Sequence, residues 1–448
     1  MNRPRLRRPR LLALLAVLAL VALVAATVGA LNRDDTDPSS SFGTLQTAPE
    51  RARTEYEHGL RVAHLQIDWG RFEPEQGVYD DSYIQEVRDR LHAFREAGLR
   101  VEAGLGLNHP PDWLAGAYPE SVWRNQFGEE STGTPNIVFS TPVRDEVASY
   151  VRQVNERIGL DEIWAIRVGI NESGEFGYPS PVADGRDKGE FWAYDRHAQE
   201  ASPYPGWRPG EKAYEGAPFT ERQVRRWYDW YLASLADAVD WQIDLFTGLG
   251  HHGPLKVLVP GSGFYPSDYR AAVSGYLDGT RSARLIGRGV GFFATLGLLQ
   301  QRDEVHIVTT ALVDGTGDPV DNGCAPGDPK AVATADGSAA ADRAVRAWSS
   351  TRWVVAVARS EGFTHLDGES AGQHVAAYWP GVMEVAFHQF DSCGLEGLMW
   401  AFDHDLYDGT PGSSLAEYAA MIREREGRSG SQAPGRPERG EAAEAAHR

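Results

Sequence analysis

The sequence has 448 residues, of which 42% are apolar, and a formal net charge of −19. This length is enough for one large domain or two ordinary ones. An acidic surface repels phosphate backbones, which argues against nucleic acid as a partner but not against a neutral ligand.

The N-terminus has the pattern of an export signal. Five arginines occur among the first ten residues, and an apolar run follows over residues 11–31. The basic start predicts that the body of the protein lies outside the cytoplasm, either secreted or anchored to the membrane. The apolar run is long enough to be an uncleaved membrane tether, whereas the small residues Val28 to Ala30 fit a peptidase site, so both outcomes stay open. Residues 1–41 are therefore interpreted as a signal peptide or anchor with a polar linker.

Strands and helices alternate from residue 42. The first predicted strand is "FGTLQT", and Thr47 with Glu50 predicts a capping box for the helix that follows. "LRVAHLQIDW" predicts the second strand, and the next helix places apolar residues at helical spacing up to Gly98. "LRVEAGLGL" predicts the third strand.

The same alternation continues through the second half. A helix is predicted from Thr141 to Gly159, then the strand "IWAIRVGI", then a helix from Thr220 with Gln223 completing a capping box. "LKVLVPGSGF" is the fifth strand, and "FTHLDGES" and "LEGLMWAF" are the last two. Either "LIGRGVGFF" or "EVHIVTT" could be the sixth strand.

This order of elements predicts the α/β class, with a single (β/α)8 TIM barrel over residues 42–423. An open doubly wound sheet is less favoured, because no glycine-rich phosphate turn follows the first strand. A loop of more than forty residues is predicted after the fourth strand, and its Trp192 and Trp207 are candidates for stacking on a sugar. Residues 424–448 are predicted to be a disordered charged tail.

Two carboxylates end predicted barrel strands, Glu172 after the fourth and Glu369 after the seventh. Working residues of such barrels lie where strands end, so the two acids are expected at one face. A lone glutamate is usually a solvated loop acid, but burying two without a function would be costly. A pair of this kind is what hydrolysis of a glycosidic bond requires, one acid as proton donor and one as nucleophile.

Several motifs together resemble the retaining glycoside hydrolases of clan A, in particular the bacterial β-galactosidase-like family 42. They are "DWGRFEPEQGVYD", "GLRVEAGLGLNHPPDWL", "GINESGEFGYP" and "HLDGESAG", with Trp400 in "MWAFDHD". The resemblance implies that Glu172 is the acid/base, that Glu369 is the nucleophile and that Asn171 binds the sugar 2-hydroxyl. The chain lacks the cysteine zinc cluster and the C-terminal domains often found in that family, so its oligomeric state and sugar preference stay open.

Further candidates follow from position. Trp400 would form an apolar floor under a sugar ring, and Asn108 and His109 either bind sugar hydroxyls or are turn residues. Arg71 either holds the nucleophile ionised or pairs with Glu73 on the surface, and the surface pair is the favoured reading.

Two acids lie close to the chosen pair and are not expected to be catalytic. They are Glu175 and Asp367; Asp367 should lie deeper than Glu369 and tune or orient it.

The two cysteines, Cys324 and Cys393, can form one disulfide in an oxidising compartment, and no cysteine and histidine spacing suggests a zinc site. No metal or other cofactor is expected. The leading hypothesis is a retaining β-glycosidase acting on an oligo- or polysaccharide. A transglycosidase acting on cell-wall or capsular glycan and a non-hydrolytic carbohydrate-binding barrel are the alternatives.

Overall fold

Eight parallel strands close into a barrel in a computed structural model that describes residues 41–182, 188–279, 282–317, 322–332, 334, 337–370, 372 and 378–431. Each strand pairs with the next along the chain, and the first pairs with the eighth, Ser41 lying opposite Gly397. The prediction of a single (β/α)8 barrel is confirmed. The strands are β1 Ser41–Thr44, β2 Val62–Gln66, β3 Arg100–Gly104, β4 Ala165–Val168, β5 Leu255–Val259, β6 Val305–Thr309, β7 Leu366–Glu369 and β8 Gly397–Trp400.

Helices surround the barrel. They are α1 Ala52–Glu57, α2 Trp69–Phe72, α3 Asp81–Ala97, α4 Leu114–Ala117, α5 Thr141–Arg157, α6 Arg196–Ala201, α7 Glu221–Gly248, α8 Pro266–Ser274, α9 Ala283–Gly287, α10 Phe292–Thr295, α11 Asp328–Ala331, α12 Ala339–Arg346, α13 Ser350–Ser360, α14 Val382–Cys393 and α15 Leu415–Ser431. Short 3-10 turns lie at Pro119–Ser121, Leu160–Glu162, Leu296–Leu298 and Asp403–Leu406. Two-residue antiparallel pairs join Trp123–Arg124 to Glu130–Ser131 and Ala213–Tyr214 to Ala217–Pro218.

Local sequence signals explain most helix ends. The capping box of α7 is present, with the Thr220 hydroxyl and the Gln223 side chain each bonded to the other residue's backbone. The capping box predicted for α1 is wrong, because α1 begins at Ala52 without a side-chain cap. The Thr47 hydroxyl instead donates to the Thr44 carbonyl oxygen and accepts the backbone N–H of His64, which ties β1 to β2.

Strand six is the segment "EVHIVTT", which contains β6. The competing segment, "LIGRGVGFF", lies in the region of the short helices α9 and α10. Residues 169–220 connect β4 to α7, and their described part contains α6.

The last helix is longer than predicted. α15 continues to Ser431, so eight residues assigned to the disordered tail belong to it, and the Arg425 guanidinium donates to Asp391 at 2.9 Å. The rest of the predicted tail, from residue 432, and the N-terminal segment 1–40 with its candidate tether lie outside the described residues. Within the described part of the chain, every helix is too short or too polar to cross a bilayer.

A disulfide joins Cys324 and Cys393, whose Cα atoms are 4.7 Å apart. Cys324 follows β6 and Cys393 ends α14, which follows β7. The bond therefore links the two segments on either side of β7, the strand that ends at Glu369.

Candidate active site

A cavity of about 570 Å³ opens at the C-terminal ends of the barrel strands. Four carboxylic acids line it, from the segments that end β4, β6 and β7: Glu172, Glu175, Asp314 and Glu369. A cavity of this size suits a small ligand such as one or two sugar rings.

Glu369 is held by an arginine that the sequence analysis did not single out. The Arg167 guanidinium, from β4, donates to Glu369 Oε2 at 2.8 Å and to Glu102 Oε1, from β3, at 2.8 Å. The side chain of Arg167 is 14% exposed and that of Glu369 is 12% exposed. This buried contact fixes both the position and the charge of Glu369.

The pairing continues down the barrel interior. Lys256 Nζ lies 2.7 Å from Glu102 Oε2 and 3.4 Å from Asp367 Oδ2. Asp367 also contacts His306 Nδ1 at 3.0 Å. We call Glu369, Arg167, Glu102, Lys256 and Asp367 the buried charge chain.

Neighbouring charges set the pKa values along this chain. Burial would raise the pKa of Glu102 and of Asp367, but the Lys256 cation, helped by Arg167 and by His306 respectively, brings both below their usual values. Burial raises the pKa of Glu369, and Arg167 limits that rise. Asp367 therefore lies deeper than Glu369 and is firmly ionised, as a residue that orients or tunes would be.

Glu175 faces the same cavity as Glu369. Thr310 donates its hydroxyl to Glu175 Oε1 at 2.9 Å, and the Arg288 guanidinium lies 3.9 Å from Oε2. Burial raises the pKa of Glu175 despite these two contacts. The charge of Glu175 in turn contributes to the raised pKa of Glu369, so the two carboxyl groups interact across the cavity.

Glu172 has a different environment. Its two carboxylate oxygens lie 3.1 and 3.2 Å from the backbone N–H of Ser180, which donates to them. The turn that separates Glu172 from Glu175 is closed by Asn171, whose Oδ1 accepts the backbone N–H groups of Ser173 and Glu175.

The segment after β6 forms one wall of the cavity. Thr310 contacts Glu175, the backbone N–H of Leu312 donates to the Glu369 carbonyl oxygen at 3.2 Å, and that of Thr316 donates to Gly261 at 2.8 Å. Gly315 has φ +85°, and a side chain there would collide with the Gly261 carbonyl oxygen. These contacts fix the position of Asp314, a residue that the sequence analysis also missed.

Three of the predicted sugar-binding residues line the cavity: Asn171, Asn108 and His109. Asn171 is fully buried, and its Nδ2 has no hydrogen-bond partner among the described residues. Asn108 donates to the Glu172 carbonyl oxygen at 3.2 Å. Their contacts with a sugar stay predictions.

The three predicted tryptophans lie elsewhere. Trp400 is fully buried and donates its indole N–H to Ser413 at 2.9 Å, while the next two residues, Ala401 and Phe402, line the cavity. Trp192 and Trp207 are also fully buried, with their indole N–H groups bonded to the Pro179 and Glu211 carbonyl oxygens. None of them offers a ring face to a ligand, so the predicted floor and stacking platforms are wrong.

Arg71 is on the protein surface. Its guanidinium pairs with Glu86 at 2.8 Å and lies over the Tyr83 ring. Glu73, its predicted surface partner, instead accepts the indole N–H of Trp69. The other contact predicted for Arg71, with Glu369, is made instead by Arg167.

Two groups of side chains have ligand atoms close enough to share a metal ion. They are His306 with His365 and Glu396, and His404 with Asp405 and Asp408. None of these six residues lines the cavity. Among the described residues, the cavity lining includes four carboxylic acids, groups able to transfer protons or to act as nucleophiles.

Comparison with known proteins gives a family for the first part of the barrel. Residues 43–173 match the family model for glycoside hydrolase family 42, described as β-galactosidase. The predicted resemblance to family 42 is confirmed. The family 42 match spans β1 to β4 and ends just after Glu172.

Individual relatives match the chain to very different extents. The β-galactosidase BbgII of Bifidobacterium bifidum is 34% identical over 72 residues, which are 16% of this chain and 10% of that enzyme. The catalytic domain of the Paenibacillus polymyxa β-amylase superposes with a TM-score of 0.56 at 16% identity, covering 86% of this chain and 98% of that one. The β-galactosidase of the psychrophilic Marinomonas ef1 superposes with a TM-score of 0.51 at 12% identity, covering 87% and 60%. At these identities the solved structures establish a shared barrel fold.

Proposed function

We propose that this protein is a retaining β-glycosidase whose active site is the cavity at the top of the barrel. The observation that carries the proposal is the pair formed by Glu369 and Glu175. Burial raises the pKa of both groups, but Glu369 accepts a hydrogen bond from Arg167 at 2.8 Å, which favours its carboxylate. The Arg288 guanidinium, by contrast, lies 3.9 Å from Glu175, which leaves Glu175 the better candidate for the carboxylic acid. The family 42 match over residues 43–173 supports a carbohydrate substrate.

The reaction follows from these two states. A carboxylate oxygen of Glu369 attacks the anomeric carbon while the bond from that carbon to the leaving oxygen breaks, and the acid gives its proton to the leaving oxygen. A water molecule then attacks the anomeric carbon of the glycosyl ester, its proton passes to the acid residue, now a base, and Glu369 is released as a carboxylate. The sugar keeps its configuration because two displacements occur.

The contacts in the cavity and the family resemblance favour different residues as the proton donor. The family resemblance assigns this role to Glu172, but both carboxyl oxygens of Glu172 already accept the backbone N–H of Ser180. Glu175 interacts with Glu369 and has the raised pKa that a proton donor needs. We therefore propose Glu175 as the acid/base and Glu172 as a residue of the cavity rim.

Three matched alanine variants test these roles with aryl β-glycosides. Glu369→Ala should abolish turnover, and azide should restore it with inverted product. Glu175→Ala should keep the first step with a dinitrophenyl leaving group, which needs little protonation, and azide should then give product of retained configuration. Glu172→Ala, the same change three residues away, should stay within about tenfold of the unmodified protein, because its carboxyl group donates no proton.

The outcomes separate the hypotheses. If Glu172→Ala shows the behaviour expected of Glu175→Ala, the assignment from the family resemblance is correct and ours is wrong. A wild-type protein that transfers sugar to an added acceptor faster than to water would be the transglycosidase. One that binds sugars but releases no phenol would be the carbohydrate-binding barrel.

We also infer that the protein works outside the cytoplasm. The arginine-rich start and the apolar run over residues 11–31 support export, with either cleavage or membrane anchoring. Fractionation of cells that express the full chain, followed by mass measurement of its N-terminus, would distinguish a cleaved protein from a tethered one.

A further inference from the structure

Asp314 stands apart from the other acids of the cavity in its contacts. Ser180 donates to Glu172, Thr310 donates to Glu175 and Arg167 donates to Glu369. Asp314 receives no hydrogen bond from any described residue, and its Oδ1 is sealed from solvent. A buried carboxyl oxygen without a donor costs free energy in the absence of ligand.

The backbone around Asp314 is nevertheless well fixed. Its segment is bonded to Glu175 through Thr310, to the Glu369 carbonyl oxygen through Leu312 and to Gly261 through Thr316. The close approach of Gly315 to Gly261 leaves little room for the segment to move away. A carboxyl group that lines the cavity and interacts with Glu369 is thus held in place without a hydrogen-bond donor among the described residues.

We propose that Asp314 is a specificity-determining residue that accepts a hydrogen bond from one hydroxyl group of the bound sugar. This inference rests on the proposed function. Asp314 lines the cavity and its Oδ1 is sealed from solvent, so the proposed hydroxyl donates to the other carboxylate oxygen, Oδ2, and stabilises the same buried carboxylate. Burial and the charge of Glu369 raise the pKa of Asp314 to about 6, as expected for a carboxylate that lacks donors.

The same surroundings define the class of ligand. Four acids line the cavity together with two cations, Arg167, which is paired with Glu369 and Glu102, and Arg288, which lies 3.9 Å from Glu175. The acids outnumber the cations, which disfavours a sugar that carries a carboxylate, whereas a neutral sugar supplies hydroxyl donors. The ligand that fits the proposal is therefore a neutral sugar with a hydroxyl placed to meet Asp314.

A series of monodeoxy aryl glycosides tests the contact. With the unmodified protein, one analogue should be cleaved roughly 10- to 100-fold less efficiently than the parent, because it leaves Asp314 without a donor. Asp314→Ala should lose roughly 10- to 100-fold in kcat/KM on the parent and on every analogue except that one, where the two proteins should agree within about twofold. Asp303→Ala, a matched change at an exposed site before β6, should leave the series unaffected.

Two results would overturn the inference. An equal loss on every analogue would mean that Asp314 acts on the fold of the cavity and not on a hydroxyl. A loss that grows as the leaving group becomes poorer would mean that Asp314 is a proton donor.

Equilibrium binding separates this inference from the proposed function. Titration calorimetry of the same deoxy sugars with the unmodified protein and with Asp314→Ala requires no turnover. Hydroxyl-selective binding without hydrolysis would reject the enzyme and retain the role of Asp314. Hydrolysis without hydroxyl selectivity would retain the enzyme and reject the role of Asp314. Absence of any sugar binding would reject both the proposed function and the role of Asp314.

Discussion

Two parts of the barrel interior differ in whether their buried polar groups have partners. In the lower part, each member of the buried charge chain touches a group of opposite charge, from Glu369 through Arg167, Glu102 and Lys256 to Asp367. Around the cavity, buried polar atoms lack partners among the described residues. They are His64 Nε2, Asn171 Nδ2, Arg288 Nε and Asp314 Oδ1.

The difference is visible within one strand. Asp367 and Glu369 are two residues apart on β7, yet the pKa of Asp367 is lowered and that of Glu369 is raised. Burial acts on both, but Asp367 has Lys256 and His306 beside it, whereas Glu369 has Arg167 and, across the cavity, the charge of Glu175. The lower part is arranged for stability, and the cavity retains free energy that a ligand can release.

The largest loss of stability should come from removing Arg167, the cation at the upper end of the buried charge chain. Arg167→Met leaves Glu369 and Glu102 without one cation, and removal of one partner from a buried pair costs roughly 3–5 kcal/mol. We expect that loss in the free energy of unfolding measured with urea at pH 7, together with a higher pKa for Glu369 and a loss of activity.

Arg71→Met is the matched control. Arg71 and Glu86 are also 2.8 Å apart, but their side chains are 57% and 46% exposed. This pair should contribute less than about 1 kcal/mol. Equal losses of unfolding free energy from Arg167→Met and Arg71→Met would show that burial does not determine how much these ion pairs stabilise the fold.

A smaller effect should come from Trp400, which lies next to the cavity but has its hydrogen bond satisfied. Trp400→Phe removes the bond to Ser413 and part of the buried ring, so we expect a loss of about 2 kcal/mol in the free energy of unfolding. KM and kcat should stay within about twofold, because Trp400 does not line the cavity.

Phe402→Leu tests the same comparison with a residue that does line the cavity. Phe402 lines the cavity two residues further on, so this change should alter KM while costing less stability than Trp400→Phe. A large change in KM for Trp400→Phe would restore the predicted role of Trp400 as the floor under the sugar.

The smallest effect should be a gain in the free energy of unfolding. Asp314 titrates at about 6 in the folded protein against an ordinary value of 3.8, so its ionisation destabilises the fold progressively as the pH rises from 3.8 to about 6. Asp314→Asn does not ionise, so it should match the unmodified protein at pH 4 and exceed it by about 1 kcal/mol at pH 8, after allowance for partial solvent contact. Thermal unfolding at the two pH values measures this difference, and a gain at pH 4 equal to that at pH 8 would contradict it.

The fold could be predicted because its signals are local. Alternation of strands and helices, the Thr220 and Gln223 capping box and the glycine after α3 each depend on a few adjacent residues. Strand six stayed ambiguous because "LIGRGVGFF" is as apolar as a strand, and its glycines did not reveal that one short helix ends in it and another begins.

Burial in the long connection could not be predicted in the same way. Trp192 and Trp207 were chosen because aromatics in a long loop suit a sugar, but the loop packs them inside. The Trp207 ring stacks on Phe219 at 4.6 Å and contacts Trp227 of α7 at 5.4 Å. Which aromatics turn inward depends on contacts between distant segments.

Which group a charged side chain pairs with also depends on contacts between distant segments. Arg71 was considered for Glu369, yet α3 places Glu86 and Tyr83 beside it. A signal for the buried charge chain was present and was missed. β3, β4, β5 and β7 each carry a charged residue whose two neighbours along the strand are apolar or glycine, namely Glu102, Arg167, Lys256 and Asp367. One such residue per strand is costly unless the four meet inside the barrel.

The composition of the buried charge chain has a consequence for the reaction. Its three carboxylates and two cations give these five residues one excess negative charge when all are ionised. In the proposed mechanism that excess lies close to the anomeric carbon while positive charge develops there. When Glu369 becomes an ester its charge disappears, and the two remaining carboxylates of the buried charge chain balance its two cations.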